Sequence, residues 1–398
     1  MILFAEVLLA VAAVALVVPA LVFFVECLMA LLPRQAAGHL GTQRRPSIAV
    51  LMPAHDEERS IERALTSVVP QLSGDDRLLV IADHCTDRTA EMARQAGATV
   101  IERHDPDPRG KGHALQQGVR FLAEEPPQVV VVLDADCVLG PGTLDLIARQ
   151  AMNSGRPVQA RIVLELPPNP DFTAAVSVFA YVVRNVVRPL GLHRLGLPCH
   201  LMGTGMAFPW PVIGRVSVAG DHLVEDLQWG LDLLIAGHLS LFCVDASVSS
   251  WPPPRRRALA RQRRRWEHGH LAVMISYLPR LVAQALRQRR ADLLAIALDL
   301  SVPPLSLLMI LLAVATGGAV LVAMLGASPA PAGLLAIGDG LVLVAVTAAW
   351  LRFCRTWLPV SALLAAPLYA LWKIPLYWGF IVRRQEGWGG RTERGDDE

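Results

Sequence analysis

Apolar residues run almost unbroken over positions 3–32. Such a run crosses a bilayer once, which takes about 20 residues, and is too short to cross twice. It is longer than the core of a secretory signal and has no basic segment before it, so it predicts a retained span. From residue 47 the pattern changes. Short apolar runs at 47–52, 78–82, 98–101 and 129–133 predict four strands. Between them, Ile61, Ala64, Leu65 and Val68 fall on one helical face, as do Ala90, Ala93 and Ala96, with Gly97 placed as a stop. Alternation of strands and helices at this spacing predicts an α/β domain with a mostly parallel sheet. Residues 220–238 predict a further helix, with Leu223, Leu227, Leu231 and Leu234 as its apolar face and Gly237 as its stop.

A second apolar block follows the middle of the chain. Pro303-Pro304 interrupts its start and the stretch 326–333 divides it, which predicts spans at 297–325 and 333–351. Residues 357–382 are apolar too, but hold Lys373 and precede Arg383-Arg384. An interfacial or re-entrant segment keeps those arginines on the cytoplasmic side; a full crossing is the alternative. Residues 277–291 mix Leu278, Leu281, Val282 and Leu286 with Arg280, Arg287, Arg289 and Arg290. Two readings stay open there, an amphipathic helix on the membrane surface and an ordinary surface helix. The organisation expected is a span at 1–32, a catalytic domain at 46–270, an amphipathic helix at 271–292, a membrane or interfacial region at 293–382 and a tail at 383–398. Pro33-Arg34, Arg44-Arg45, Arg352 and Arg355 flank the spans on one side, which predicts a multi-pass protein of the cytoplasmic membrane with the domain on its cytoplasmic face.

Composition adds two exclusions. The net charge of +2 is too small for a nucleic-acid binder, and the six cysteines, with no CxxC, suggest neither a disulfide framework nor a zinc site. Free thiols fit a reducing compartment. Lys111 and Lys373 are the only lysines among 37 basic residues, so a lysine in the soluble region is a rare choice.

The chemistry-bearing residues cluster after the predicted strands, where α/β sheets bind ligands. His55-Asp56-Glu57 follows the first strand, Asp83 the second, and Asp134-Ala135-Asp136 the fourth. Two carboxylates leaving a buried strand suit Mg²⁺ or Mn²⁺, which in turn suit diphosphates; a polar turn capping the next helix is the other reading. Residues 109–113 (RGKGH) open a helix, where glycines and a lysine favour phosphate, or else form a flexible loop. Glu225-Asp226 stand in the first turn of a predicted helix, either as dipole partners or with one of them as a general base. Seven arginines crowd residues 255–265. They suit anionic lipids or a diphosphate leaving group, and Trp266 offers a face for a sugar.

Taken together, these motifs resemble the membrane-integrated family-2 glycosyltransferases, among them the synthases of cellulose, hyaluronan and poly-N-acetylglucosamine and the ceramide glucosyltransferases. The resemblance covers residues 46–270 and rests on the PAHDE and ADHCTD segments, on Asp134–Asp136 as DxD, on Glu225-Asp226 as the ED motif and on 262–266 (QRRRW) as QxxRW. It implies a GT-A fold and an inverting hexosyl transfer from a nucleotide sugar, UDP-linked by preference, with Mg²⁺ or Mn²⁺. It also implies roles. Glu57 and Asp83 hold the nucleoside, with Lys111 near the nucleotide or its diphosphate. Asp134 contacts the nucleotide and Asp136 is the main metal ligand. Gly203, Thr204 and Gly205 lie beside donor sugar and acceptor. Asp226 is the base, with Glu225 its neighbour. Gln262 and Arg265 bind the diphosphate, and Trp266 shapes the acceptor site. Trp388, Arg391, Thr392 and Arg394 resemble a gating segment, or else a basic-acidic tail. The acceptor implied is a glycan, as in exopolysaccharide assembly, with transfer of one sugar to a membrane lipid as the alternative. Fewer spans are visible than in the long polymer synthases, and export or regulatory subunits stay open. A non-catalytic nucleotide-binding subunit would predict damaged carboxylate motifs, and all are intact.

Overall fold

The strands form where β-branched and aliphatic residues run without a break. In the computed structural model, which describes residues 2–33, 44–104, 109–166, 170–214, 224–252 and 256–382, these are β1 (Ile48–Ala54), β2 (Arg77–Asp83), β3 (Thr99–Arg103), β4 (Val129–Val132), β5 (Cys137–Leu139), β6 (Val158–Leu164), β7 (Met206–Pro209) and β8 (Leu241–Ser250). They make one sheet in the order β3-β2-β1-β4-β7-β6-β8-β5. The four strands expected from the sequence are mutually parallel. Beyond β4 the sheet turns mixed: β7 runs antiparallel to β4 and β6, and β6 is parallel to β8.

Alternation assigns each strand two faces. Val50, Val131, Val158, Ala160 and Ala207 enter one core with the helices Ile61–Val68 and Thr143–Ser154. Leu51, Val130, Val132, Met206 and Phe208 enter the other, under the helices Lys111–Leu122 and Glu225–Ile235, which contribute Ala114, Leu115, Trp229 and Leu233. The N-termini of these two helices carry Lys111 and Glu225-Asp226.

Contacts divide the chain into two units. One comprises 34–167 and 198–269 with the sheet; the other comprises 1–33, 168–197 and 270–385 and is helical. Among the described residues, four helices are long and apolar enough to cross a membrane: Glu6–Met29, Phe172–Arg194, Leu305–Met324 and Ala330–Cys354. The second of these was not expected. It lies within 46–270, yet groups with the helical unit. The expected span at 297–325 is corrected: one helix ends at Leu300 and the next begins at Leu305, because Pro303 and Pro304 remove two backbone donors. Nor do residues 271–292 form a helix of their own. Residues 271–288 continue a single helix, Arg256–Gln288, that also carries the QRRRW segment, and Ala291 and Asp292 open the next helix, Ala291–Leu300. Residues 360–382 break into helices of 5, 7 and 9 residues, none long enough to cross.

In the helical unit one ion cluster joins three helices. Arg188 donates through Nε to Glu26 at 2.6 Å and through Nη2 to Asp299 Oδ1 at 2.5 Å. A buried arginine requires such partners, since desolvation of an unpaired charge costs several kcal/mol. The helices approach closely beside it. A Cβ on Gly191 would lie 2.0 Å from the Glu26 carbonyl oxygen, a backbone atom that cannot swing aside. Gly191→Ala is therefore expected to cost about 1–3 kcal/mol and to lower the thermal midpoint in detergent. Gly317→Ala, with open space around its Cβ, is expected to be neutral or to gain up to about 1 kcal/mol from helix propensity. Equal midpoints for the two variants would contradict this packing.

Candidate active site

The site grows from the C-terminal ends of β1, β2 and β4. Asp83 ends β2. It accepts from Arg103 Nη1 at 2.6 Å and His84 Nδ1 at 3.0 Å, and the Gly110 amide lies 3.4 Å from its Oδ2. His55 Nδ1 lies 2.6 Å from the Asp83 carbonyl oxygen. Asp56 and His84 both adopt positive φ, 50° and 54°. Non-glycine residues rarely do so, and such strain gathers at functional sites. Asp56 is held there by the Thr86 amide, which donates to its Oδ1 at 2.7 Å. Glu57 is buried; its amide donates to Thr89 Oγ1 at 2.8 Å and its carboxylate accepts from Ser60. Arg103 had escaped sequence reasoning, because a charged strand end gives no motif.

Two residues past β4, Asp134 meets Lys111. The ammonium donates to Asp134 Oδ1 and, at 2.7 Å, to the Gly203 carbonyl. Burial alone would lower the Lys111 pKa, but Asp134 and Asp226 outweigh it and hold the ammonium above its usual value. The Asp134 amide donates to Thr204 Oγ1 at 3.0 Å. The loop around Thr204 is itself fixed by Gln159 of β6, which is fully buried. Its Nε2 donates to the Thr204 carbonyl at 2.9 Å and its Oε1 accepts from the Met202 amide at 2.8 Å.

Glycine is required at both ends of this loop's tip. Gly203 has φ +88°, and a Cβ there would come within 2.9 Å of Asp226 Oδ2 and 3.3 Å of Lys111 Nζ. Gly205 has φ +64° and a Cβ would meet Val248 Cγ2 at 2.6 Å. Asp226 thus faces the Lys111 ammonium across bare backbone. Glu225 turns toward Gly110, whose Cβ position is 3.5 Å from Glu225 Oε1. Both its carboxylate oxygens are buried and neither accepts a well-formed hydrogen bond. Burial pushes the Glu225 carboxyl up to about 8. Lys111, the Gly112 amide and Arg265 pull the other way, and Asp226 adds to the rise.

Ligand atoms of Asp134, Asp136 and Cys137 lie within 4.8 Å of one another. Burial, with Asp136 and Asp134 beside it, keeps Cys137 a thiol. The two carboxylates are thus the side chains here that suit a hard cation, and they fit Mg²⁺ or Mn²⁺. Of the residues expected from sequence, the structure gathers Lys111, Asp134, Asp136, Gly203, Thr204, Gly205, Glu225 and Asp226 in one place, with Arg265 acting on Glu225. Glu57 and Asp83 lie at the ends of the neighbouring strands. Arg265 and Trp266 follow Gln262 by three and four residues on the helix Arg256–Gln288, which puts both beside it on one face. Trp388, Arg391, Thr392 and Arg394 lie outside the described residues.

Residues 46–269, over half of the chain, match the sequence model described as glycosyltransferase-like family 2. The chain belongs to this family. Among its relatives, the glucosyl-3-phosphoglycerate synthase of Mycobacterium tuberculosis is 36% identical over 98 residues, 23% of this chain and 29% of the relative. The 4,4'-diaponeurosporenoate glycosyltransferase of Staphylococcus aureus is 41% identical over 76 residues, 18% of this chain and 20% of the relative. The chain therefore matches less than a third of the length of either. A mannosyltransferase from Pyrobaculum calidifontis, solved with GDP-Man and Mn²⁺, superposes with a TM-score of 0.56 at 19% identity, covering 88% of this chain and 99% of the other. At that identity the likeness establishes the GT-A fold. The sheet of this family-2 glycosyltransferase, an enzyme by its family, thus follows a known architecture.

The raised Glu225 pKa has a consequence for stability. An ordinary glutamate ionises near 4.5 in the unfolded chain, whereas the folded carboxyl keeps its proton to about 8. Below the lower value both states are protonated and no penalty exists. Between the two, rising pH favours the unfolded chain, and above the higher value the penalty is complete. Glu225→Gln removes it. Its gain in thermal midpoint over wild type, measured without ligands, is expected to be larger at pH 9 than at pH 5. A gain independent of pH would contradict the buried carboxyl.

Proposed function

We propose that this glycosyltransferase inverts the anomeric carbon of a UDP-sugar, using Mg²⁺ or Mn²⁺, and transfers the sugar to a lipid or glycan acceptor at the cytoplasmic face of a membrane. The observation that carries the proposal is the convergence of Lys111, Asp134, Asp136, Gly203 and Asp226 beyond the ends of parallel strands. Asp134 and Asp136 would hold the cation, which neutralises charge growing on the leaving diphosphate. Lys111 and Arg265 add fixed positive charge at the same place. Asp226 takes the proton of the acceptor hydroxyl as that oxygen attacks. Glu57 and Asp83 serve the nucleoside, Gln262 the diphosphate, and Trp266 the acceptor. The four long apolar helices support a multi-pass protein.

Two products stay in view. The relatives above are named for single transfers to small acceptors, which favours addition of one sugar over the polymer suggested by the wider resemblance. The purified protein in nanodiscs, given Mg²⁺ or Mn²⁺, membrane lipids and labelled UDP- and GDP-sugars, is expected to yield a small extractable product. A large water-soluble product would instead make it a polymer synthase.

Two substitutions test the roles. Asp226→Asn is expected to lower turnover about 10²–10⁴-fold while donor affinity, measured by calorimetry, stays near wild type. Asp136→Ala is expected to abolish the dependence of donor binding on the cation. Normal turnover in the first, or intact metal-dependent binding in the second, would overturn the assignment.

A further inference from the structure

We infer that Arg161 reads an acidic group, a carboxylate or phosphate, on the acceptor. The inference rests on the glycosyltransferase reading of the site and extends it to the acceptor's chemistry. Arg161 lies on β6, where Val158 and Ala160 enter one core, Ile162 and Leu164 are buried, and alternation turns the half-exposed Arg161 and Val163 to the opposite face. That opposite face is the one on which Gln159 pairs in register with Met206, and Met206 with Val132. It is also the face covered by the helices that carry Lys111 and Asp226. Two residues beyond Val132 on β4 stands Asp134; two residues beyond Gln159 on β6 stands Arg161. The strands flank β7, so the two side chains start on the order of 10 Å apart, two strand spacings. Between them lies Thr204, bonded to the Asp134 amide on one side and to Gln159 on the other. Arg161 therefore stands across the 203–205 loop from the cation and diphosphate residues, on the side left to an acceptor.

Two features bear on the role of this arginine. Its Nε is buried without a hydrogen-bond partner, and no acidic side chain among the described residues pairs with its guanidinium. Two half-buried arginines of the sheet unit contrast with it in having acidic partners: Arg103 has Asp83, and Arg45 has Asp76. A guanidinium with its stem buried and its acceptor missing is matched to a planar or tetrahedral anion, which it grips through two parallel N–H bonds. The strand is also irregular here. Ala160 pairs with Cys243 but Arg161 with Ser247, a register shift that places a bulge in β8 beside Arg161. Bulges recur next to active sites, where they re-aim a side chain. The same chemistry could be offered by a soluble acid or by an acidic lipid.

The test uses the full chain in nanodiscs with cation and whichever labelled nucleotide sugar it hydrolyses or transfers. The acceptor probes are 3-phosphoglycerate and glycerate as soluble acids, phosphatidic acid, oleate and undecaprenyl phosphate as acidic lipids, and ceramide, diacylglycerol and cellotetraose as neutral compounds. Label on an acidic probe is expected, and the arm that takes it identifies the source. For that probe Arg161→Gln is expected to raise the acceptor KM about 10- to 100-fold, the scale of a charged hydrogen bond, with donor Kd unchanged and kcat altered far less. Arg161→Lys is expected to recover part of the loss. Arg94→Gln, at the exposed Arg94–Glu102 pair, controls for loss of surface charge. Label on neutral probes alone, on no acidic probe, or an unchanged KM in Arg161→Gln overturns the inference while leaving the glycosyltransferase reading intact. A wild-type chain that binds no nucleotide sugar fails the underlying reading instead.

Discussion

One ammonium organises the acidic end of the sheet. Asp134, Asp136, Glu225 and Asp226 converge where the parallel strands stop, and carboxylates that close repel one another unless positive charge is placed among them. Lys111 supplies it. Its Nζ touches Asp134 and the Gly203 carbonyl and lies in the field of Asp226. Much of the local structure follows from that placement. The helix begins at Lys111, and Gly110 precedes it at φ +153°, a backbone conformation that favours glycine. The 203–205 loop must bring a carbonyl to the ammonium, so its backbone takes positive φ at Gly203 and Gly205. Gln159 then holds that loop with a donor and an acceptor in the middle of a buried strand. A fully buried amide is tolerated because its polar atoms are matched.

The neighbours Glu225 and Asp226 show how one turn of helix yields two different carboxyl environments. Asp226 faces the lysine across a glycine. Glu225 is turned away into a space where its oxygens have no full hydrogen bond and its proton is retained to about 8. Pairs of titratable groups whose surroundings differ in this way divide acid and base roles in enzymes. In this site the division also limits net charge, since a protonated Glu225 leaves Lys111 to balance fewer anions.

The parallel half of the sheet was legible because each strand is a continuous apolar run followed by its chemistry. Strands 47–52, 78–82, 98–101 and 129–133 match β1 to β4 within a few residues. The other half was not. β5 has 3 residues and β7 has 4, too short for a period, and Gln159 and Arg161 interrupt β6. Of the site, the motif residues were legible as types, but their pairing was not. Lys111 and Gly203 are 92 residues apart, and nothing local relates them. Arg103 and Gln159, which hold Asp83 and the glycine loop, belong to no motif. The raised Glu225 pKa arises from burial by distant segments, which a first-turn glutamate does not advertise.

The helix Phe172–Arg194 was hidden by the charges it carries. Arg184 and Arg188 depress its mean hydropathy to 1.3, against 3.0 for Glu6–Met29. Arginine in such a helix is costly unless partners are buried with it. Its partners, Glu26 and Asp299, are 162 and 111 residues away. Once they are in place, the charges that argued against a span become the contacts that dock it, with Gly191 removing the side chain that would hold the helix backbones apart. The chain leaves the sheet after β6, contributes this helix to the helical unit, and returns through residues 198–205 to β7. The segment that carries Gly203, Thr204 and Gly205 is therefore tied covalently to an apolar helix at one end and to the sheet at the other. The loop beside Asp226 thus follows an apolar helix in the chain, with only residues 195–202 between them.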